Sequence, residues 1–196
     1  MLPAMASPKE VEIKLALDDL RAIERKLRIL RFRRETARTH EMNTLYDLPG
    51  AVLRQRGELL RLRKYGDGWT LTHKGPGLAG RHKTRVETET AVENGERMQG
   101  ILTALGFAPS FQYEKFRSEW SDGTGHVVLD ETPIGNFGEI EGPPRWIDRT
   151  ARALGITPSQ YITDSYVQLF ADWQTRTGSR AEEMTFKAVR AKHSTQ

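Results

Sequence analysis

The chain has 196 residues, of which 37% are hydrophobic and 29% charged, and it contains no cysteine. This length allows one domain with a proper core, with or without a tail, and the lack of cysteine excludes disulfides and thiolate metal sites. The formal net charge of +4 does not by itself indicate a nucleic-acid partner, and no apolar run could cross a bilayer or act as a signal peptide. We therefore expect a globular, cytoplasmic protein without a membrane partner.

The spacing of apolar residues predicts one folding unit. Residues 1–8 show no pattern and are expected to be a disordered or extraneous start, whereas residues 9–174 form a single domain. Residues 175–196 have few apolar anchors and are expected to be a weakly ordered or helical tail. No linker or internal repeat divides the central range.

The first predicted elements are a strand, a helix and a long extended segment. Charged and apolar residues alternate over 9–17, which is the period of a strand. Apolar residues recur at helical spacing over 18–30, with Asp18 or Asp19 as the N-cap. The segment 31–48 then has an extended pattern.

The middle of the chain contains a hairpin and a second helix. A short turn or helix at 49–57 leads into two alternating runs over 58–75, which meet at the glycine-rich turn 66–68. Another alternating run covers 81–92. An amphipathic helix follows at 94–106.

The last predicted elements bring the number of strands to eight. Three short strands are expected at 111–120, 125–132 and 137–142, followed by helices at 143–155 and 157–174, the second opening with a capping-box pattern. Antiparallel strands in this number favour closure, because closure leaves no exposed edge. The predicted fold class is α+β: a closed eight-stranded antiparallel β-barrel that forms a tunnel, with helices packed on the outside.

The polar faces of these strands carry a large set of charges. The basic members are Lys14, Arg61, Arg63, Lys74, Arg85, Lys115 and Arg117, and the acidic members are Glu10, Glu12, Glu87, Glu89, Asp130, Glu139 and Glu141. A solvated sheet face is the usual explanation for any one such strand. As a set, however, they repeat like charges at i and i+2, and the opposite faces are apolar enough to be covered by helices. The charges then face the interior of a wide, wet barrel.

An interior with both signs of charge matches a specific kind of ligand. Carboxylates without thiolates suit Mg²⁺ or Mn²⁺, which prefer oxygen donors. Paired arginines and lysines suit phosphate oxygens, which arginine binds through its bidentate fork. A polyphosphate with bound metal satisfies both sets at once.

The order of these motifs resembles the CYTH domain, the triphosphate tunnel metalloenzymes that include class IV adenylate cyclases and thiamine triphosphatases. The motifs are E-x-E-x-K in the first strand, then L-R-x-R, T-x-K, R-x-E-x-E and K-x-R, and finally L-D followed by G-x-x-E-I-E. The resemblance covers roughly residues 9–172, and every motif position is present. A Tyr-Asp pair also precedes the L-R-x-R strand, as it does in the family.

The resemblance implies an eight-stranded tunnel, Mg²⁺ or Mn²⁺ as the cofactor, and a role for each charged residue. The implied metal ligands are Glu10, Glu12, one or both of Glu87 and Glu89, Asp130, Glu139 and Glu141. The implied phosphate-binding residues are Arg61, Arg63, Lys74, Arg85, Lys115 and Arg117. Lys14 would lie near the scissile phosphate or orient a ligand carboxylate, and it is assigned to catalysis together with Glu12.

The function that follows is a metal-dependent phosphohydrolase for tripolyphosphate, thiamine triphosphate or a nucleoside triphosphate. The alternative is a class IV adenylate cyclase that converts ATP to cyclic AMP and pyrophosphate, because both reactions use the same charged tunnel. A binding module without turnover has no need for so many carboxylates. The basic run at 25–38 lacks the aromatic platform of a nucleic-acid site. The expected partner is a triphosphate-bearing small molecule, and a homodimer is compatible with the sequence.

Overall fold

Eight antiparallel strands close into one barrel, as the sequence predicts. The computed structural model describes residues 9–78 and 80–190, so the expected start at 1–8 and the end of the tail at 191–196 lie outside the described part. The strands are β1 (Lys9–Leu17), β2 (Arg33–Asp47), β3 (Leu59–Tyr65), β4 (Gly68–Lys74), β5 (Lys83–Val92), β6 (Ala108–Ser121), β7 (His126–Thr132) and β8 (Gly135–Glu141). Around the barrel they follow the order β1-β5-β4-β3-β2-β6-β7-β8.

Six α-helices in the described residues lie outside the strands of the barrel. They are α1 (Leu20–Ile29), α2 (Val52–Gln55), α3 (Gly95–Ala104), α4 (Pro144–Leu154), α5 (Tyr166–Thr177) and α6 (Phe186–Arg190). The Asp19 side chain accepts a hydrogen bond from the Ala22 N–H at 3.0 Å, so Asp19 is the N-cap of α1. Across the described ranges, none of the helices is both long enough and apolar enough to span a membrane.

The strand register brings the charged residues of neighbouring strands together. Glu10 on β1 lies opposite Arg85 on β5, and Arg117 on β6 lies opposite Asp130 on β7. Residues directly opposite each other point to the same face of a sheet. The charged positions of the strands therefore share the inner face of the barrel.

The apolar faces of β1, β7 and β8 are covered by α1 and α4. Ile13, Ile140 and Ile147 are fully buried in this outer core, which also contains Trp120 and Trp146. Both tryptophans are buried packing residues. Covering one face of the sheet leaves the opposite, charged face to the interior.

The C-terminal segment, residues 156–190, completes the barrel wall at one end. Met184 lies beside the part of β6 that extends past β7. The Glu114 N–H donates to the Met184 carbonyl at 3.1 Å, and the Met184 N–H donates to the Gln112 carbonyl at 3.0 Å. Beside β1, the backbones of Lys14 and Ile162 exchange two hydrogen bonds of 2.9 and 2.8 Å.

The first part of this segment differs from the helix expected at 157–174. The capping-box pattern opens only a 3₁₀ turn over Pro158–Gln160, and α5 begins later, at Tyr166, with Ser165 as its N-cap. The intervening residues are not helical because the backbone of Ile162 is paired with β1. A strand-like contact to the barrel has replaced the local helical preference.

The described part of the expected tail is better anchored than its composition indicates. Ala181, Met184 and Val189 are buried in a second core together with Phe170 of α5. Residues 186–190 form the short helix α6. The expectation of few anchors therefore does not describe residues 175–190.

Candidate functional site

A cavity of about 660 Å³ runs through the interior of the barrel. Thirteen of the fourteen predicted charged residues line it: Glu10, Glu12, Lys14, Arg61, Arg63, Lys74, Arg85, Glu87, Glu89, Lys115, Arg117, Glu139 and Glu141. The fourteenth, Asp130, is 0% exposed and lies behind the lining. The structure thus brings the predicted set into one cavity and places a single member in the wall.

Four carboxylates of β1, β5 and β8 form an acidic cluster, which we define as Glu10, Glu12, Glu87 and Glu141. Lys74 bridges two of them, with its Nζ 2.6 Å from Glu10 Oε2 and 2.9 Å from Glu87 Oε2. Lys83 Nζ lies 2.9 Å from Glu12 Oε1. Lysine therefore supplies the counter-charge here.

Two carboxylates of the acidic cluster, Glu10 and Glu141, remain short of positive charge, whereas nearby lysines outweigh burial and lower the pKa of Glu12 and Glu87. Burial, together with the nearby Glu12 and Glu87 and against the attraction of Lys74, raises the pKa of Glu10 to about 8. Burial and the charge of Glu12 also raise the pKa of Glu141. Carboxylates with raised pKa values gain from a further cation, because that cation relieves their mutual repulsion.

A second group has as many cations as carboxylates, and we define this paired cluster as Glu41, Asp130 and Glu139 with Lys14, Lys115 and Arg117. Arg117 donates to both oxygens of Asp130 at 2.8 Å and to Glu139 Oε2 at 2.5 Å. Lys115 Nζ donates to Asp130 Oδ2 at 2.9 Å and lies 3.4 Å from Glu41 Oε1.

The electrostatic state of the paired cluster is opposite to that of the acidic cluster. Burial acts to raise the pKa of Glu41, but the surrounding Lys115 and Arg117 outweigh it and hold that pKa at about 2. Burial likewise opposes Lys14 and Arg117 at Glu139, and the cations keep the pKa of that carboxyl well below its usual range. These carboxylates are ionised whether or not a ligand is present.

Lys14 lies in the floor of the cavity with its charge fixed. Its ammonium group is 2.8 Å from Glu139 Oε1, and the residue is 4% exposed. Burial opposes the charged form, but Glu139 and Glu12 raise the pKa of Lys14 above its ordinary value. It acts as a permanent cation and not as a proton donor at neutral pH.

Three arginines present donor groups that the rest of the described chain leaves unused. The Nε atoms of Arg61, Arg63 and Arg85 are buried and have no hydrogen-bond partner within residues 9–78 and 80–190. Leaving a buried N–H unsatisfied is costly. All three side chains line the cavity, so their guanidinium groups could turn these donors towards an anion bound there.

The donor chemistry of the acidic cluster fits a hard divalent cation. Its ligands are carboxylate oxygens, which Mg²⁺ and Mn²⁺ prefer, and the raised pKa values indicate uncompensated negative charge. In the described part of the chain, however, no three acidic or histidine side chains already converge on one point. Metal binding would therefore require Lys74 and Lys83 to turn from their carboxylate partners.

Three functional residues were not found by sequence reasoning. Lys83 shares the inward parity of β5, and Glu41 shares that of β2, so alternation could have identified both. Tyr166 on α5 also lines the cavity, and no periodicity points to it, because a helix outside the strands brings it there. His73 faces away from the cavity, 3.4 Å from Glu58, as its parity predicts.

The sequence and the structure are similar to known proteins over most of the chain. A family model described as the CYTH domain matches residues 8–150. A Methanocaldococcus jannaschii protein named "Putative adenylate cyclase" is 27% identical over 171 residues, covering 82% of this chain and 97% of the relative.

Solved structures support the same fold. A "putative adenylate cyclase" from Vibrio parahaemolyticus has a TM-score of 0.74 at 22% identity, covering 83% of this chain and 97% of its own. A Hippeastrum "putative adenylyl cyclase", described with a dominant triphosphatase activity, has a TM-score of 0.62 at 18% identity and covers 83% and 95% of the two chains.

Proposed function

Because the chain belongs to the CYTH domain family, we propose that it is a metal-dependent phosphohydrolase acting on a triphosphate bound in the tunnel. The substrate is inorganic tripolyphosphate, thiamine triphosphate or a nucleoside triphosphate. One observation carries the proposal: the same cavity holds arginine N–H groups without partners and a cluster of under-compensated carboxylates. A triphosphate with bound metal supplies what each group lacks.

The phosphate chain is proposed to bind on the basic residues of the lining. These are Arg61, Arg63, Lys74, Arg85, Lys115 and Arg117, to which we add Lys83. Lys74 and Lys83 are paired with carboxylates of the acidic cluster. On substrate binding they would exchange a carboxylate for a phosphate oxygen, so the positive charge stays in the tunnel.

Mg²⁺ or Mn²⁺ is proposed to bind to the acidic cluster, with Glu139 and Glu89 at its margins. When bound, such an ion neutralises charge on the phosphate oxygens. We assign Asp130 to a different role from the metal ligand that the family resemblance implies. Its two oxygens accept hydrogen bonds from Lys115, Arg117 and Tyr166, and it is fully buried. It would therefore hold the phosphate-binding cations in place.

The proposed reaction is attack of water on the terminal phosphorus. A new P–O bond forms, the bridging P–O bond breaks, and orthophosphate and a diphosphate are released. Lys14, a permanent cation beside Glu139, would stabilise charge on the terminal phosphate. We assign Glu12 to take the proton of the water, since it is buried beside Lys14 and ionised.

The test is an assay of the purified chain on tripolyphosphate, thiamine triphosphate and ATP, with Mg²⁺ or Mn²⁺ and with a chelator. We expect orthophosphate from at least one substrate, and none with the chelator. Arg63→Met should raise KM, because a lost charge-assisted contact costs about 1.5–3 kcal/mol. Its matched control is Lys64→Met, since Lys64 is the next residue of β3 and is exposed on the outer face. Equal behaviour of these two variants would contradict the inward assignment.

A cyclase is the second candidate, and one feature of the cavity favours it. Leu45, Leu59, Tyr113 and Val167 line one part of the cavity and could contact the base of a nucleotide. In that reaction the 3′-hydroxyl of ATP attacks its own α-phosphorus, and pyrophosphate leaves. Product analysis separates the two: cyclic AMP and pyrophosphate as the dominant products would replace the hydrolase by the cyclase.

A further inference from the structure

Helix α5 sends one aromatic side chain into the tunnel. Tyr166 is 7% exposed and lines the cavity together with Ser165 and Val167. The match to the CYTH family model ends at residue 150, so this residue lies outside it. Tyr166 lies in the C-terminal segment, residues 156–190, and not in a strand of the barrel.

Tyr166 contacts charged groups from three different strands. Its hydroxyl donates to Asp130 Oδ2 at 2.7 Å. Its ring centroid lies 4.6 Å from Lys14 Nζ and 4.7 Å from Lys115 Nζ. Ammonium groups at these distances are attracted by the negative face of the ring.

The ring is itself held in place from two sides. Its centroid lies 5.6 Å from that of Tyr113 and 5.7 Å from that of Phe137, the latter in an edge-on arrangement. Four residues before it, Ile162 is hydrogen-bonded to the backbone of Lys14. The position of Tyr166 relative to Lys14 is thus fixed through both the ring and the backbone.

The hydroxyl decides which partner Lys14 takes. Asp130 Oδ2 already accepts from Lys115 at 2.9 Å and from Arg117 at 2.8 Å. The Tyr166 hydroxyl is the third donor on that oxygen and leaves no room for a fourth. Lys14 is therefore directed to Glu139 and to the open cavity.

We propose that Tyr166 is a positioning residue that holds the ammonium groups of Lys14 and Lys115 where the triphosphate binds. The ring lies against two cations from β1 and β6 that otherwise repel each other, and the hydroxyl keeps Lys14 away from Asp130. The C-terminal segment then contributes to turnover as well as to the barrel wall. This inference rests on the proposed function, because the two lysines are assigned to phosphate there.

The experiment compares three variants of the full chain. Tyr166→Phe removes only the hydroxyl, and Tyr166→Leu also removes the ring. The matched control is Tyr161→Phe, because Tyr161 belongs to the same segment and donates its hydroxyl to Asp148, away from the cavity. Each variant is measured for kcat and KM on the best triphosphate and for its thermal unfolding midpoint. Binding of tripolyphosphate without metal is measured by calorimetry.

We expect Tyr161→Phe to match the parent, Tyr166→Phe to lower kcat/KM about 5-fold, and Tyr166→Leu to lower it about 30-fold or more with weaker tripolyphosphate binding. In an Asp130→Asn background, Tyr166→Phe should have a smaller effect than in the parent background, because the hydroxyl no longer donates to a charged carboxylate. A merely structural role would lower the unfolding midpoint without weakening tripolyphosphate binding. Activity and binding equal to the parent in both Tyr166 variants would overturn the inference. An equal loss of kcat/KM from Tyr166→Phe in the Asp130→Asn and parent backgrounds would also overturn the inference.

The outcome is separable from that of the proposed function. If the parent hydrolyses no triphosphate but binds tripolyphosphate, and Tyr166→Leu weakens that binding, the inference stands and the hydrolase does not. If the parent is an active hydrolase and the Tyr166 variants are unchanged, the hydrolase stands and the inference fails.

Discussion

The acidic cluster and the paired cluster share one cavity, and both consist of buried carboxylates and cations. They differ in the balance between positive and negative charge. Glu10 in the acidic cluster has a pKa raised to about 8, whereas Glu41 in the paired cluster has a pKa of about 2. Burial raises the pKa of both, so the sign of each shift depends on the cations beside that carboxylate. Glu12 of the acidic cluster, beside Lys14 and Lys83, is shifted downward as well.

This difference gives the two clusters different uses. The paired cluster holds its cations rigidly, since Arg117 and Lys115 are bonded to a carboxylate that solvent does not reach. Such cations are ready for an anion without reorganisation. In the acidic cluster, Glu10 and Glu141 have unmet negative charge, which a divalent cation would neutralise.

The largest expected effect is on the paired cluster. Arg117→Met removes one of the cations that Asp130, Glu41 and Glu139 share in the interior. Removing one partner of a buried ion pair typically costs about 3–5 kcal/mol. We expect this loss in the free energy of unfolding, measured with urea at neutral pH. A loss below about 1 kcal/mol would show that the cluster is solvated and that the contrast between the two clusters is not real.

The next largest effect is expected on stability at acid pH. The folded-state pKa of Glu41 is about 2, below the ordinary value of 4.5. The contribution of Glu41 to the free energy of unfolding is therefore complete above pH 4.5 and disappears as the pH falls towards 2. The contribution is on the order of 3 kcal/mol, since one pKa unit corresponds to about 1.4 kcal/mol. Unfolding of the parent and of Glu41→Gln should be compared between pH 5 and pH 2.5. If the unfolding free energy of both proteins depended equally on pH, the low pKa assigned to Glu41 would be contradicted.

Carboxylate neutralisation should separate the clusters directly. Glu139→Gln removes the ion pairs to Lys14 and Arg117 and should lower the unfolding free energy by about 1–3 kcal/mol. Glu10→Gln should leave it unchanged or raise it, because Glu10 is crowded by Glu12 and Glu87. Both variants are measured by thermal unfolding without metal at neutral pH. Equal destabilisation by the two substitutions would mean that the two clusters do not differ in charge balance.

The smallest effect is expected at an exposed ion pair, which serves as the reference for the buried clusters. Arg38 forms a two-bond ion pair with Glu131 on the outer surface, where their side chains are 53% and 38% exposed. Exposed ion pairs contribute about 0–1 kcal/mol, so Arg38→Met should cost less than about 1 kcal/mol. The urea measurement used for Arg117→Met applies here too. A cost similar to that of Arg117→Met would mean that burial does not distinguish the two arginines.

Several features of the site and its surroundings could not be predicted from the sequence. Alternation indicated that Asp130 faces inward, but not that it is enclosed behind Lys115 and Arg117, because enclosure depends on which strands are neighbours and on α5. The 157–174 helix was predicted from its capping pattern, and the backbone of Lys14, distant in sequence, altered it. The second core around Met184 depends on a stretch of β6 that extends past β7, which no local pattern reveals.

The sequence by itself determined the strands, the faces of those strands and the charges they carry, because a period of two residues is a local property of the chain. It also determined closure, since eight strands with one apolar face leave few alternatives. Only the tertiary structure decided which carboxylates are short of positive charge and which are saturated, because that balance depends on contacts between strands far apart in sequence. The placement of Tyr166 between Lys14 and Lys115 has the same origin: packing of a helix against the open end of the barrel, at a distance over which no sequence period extends.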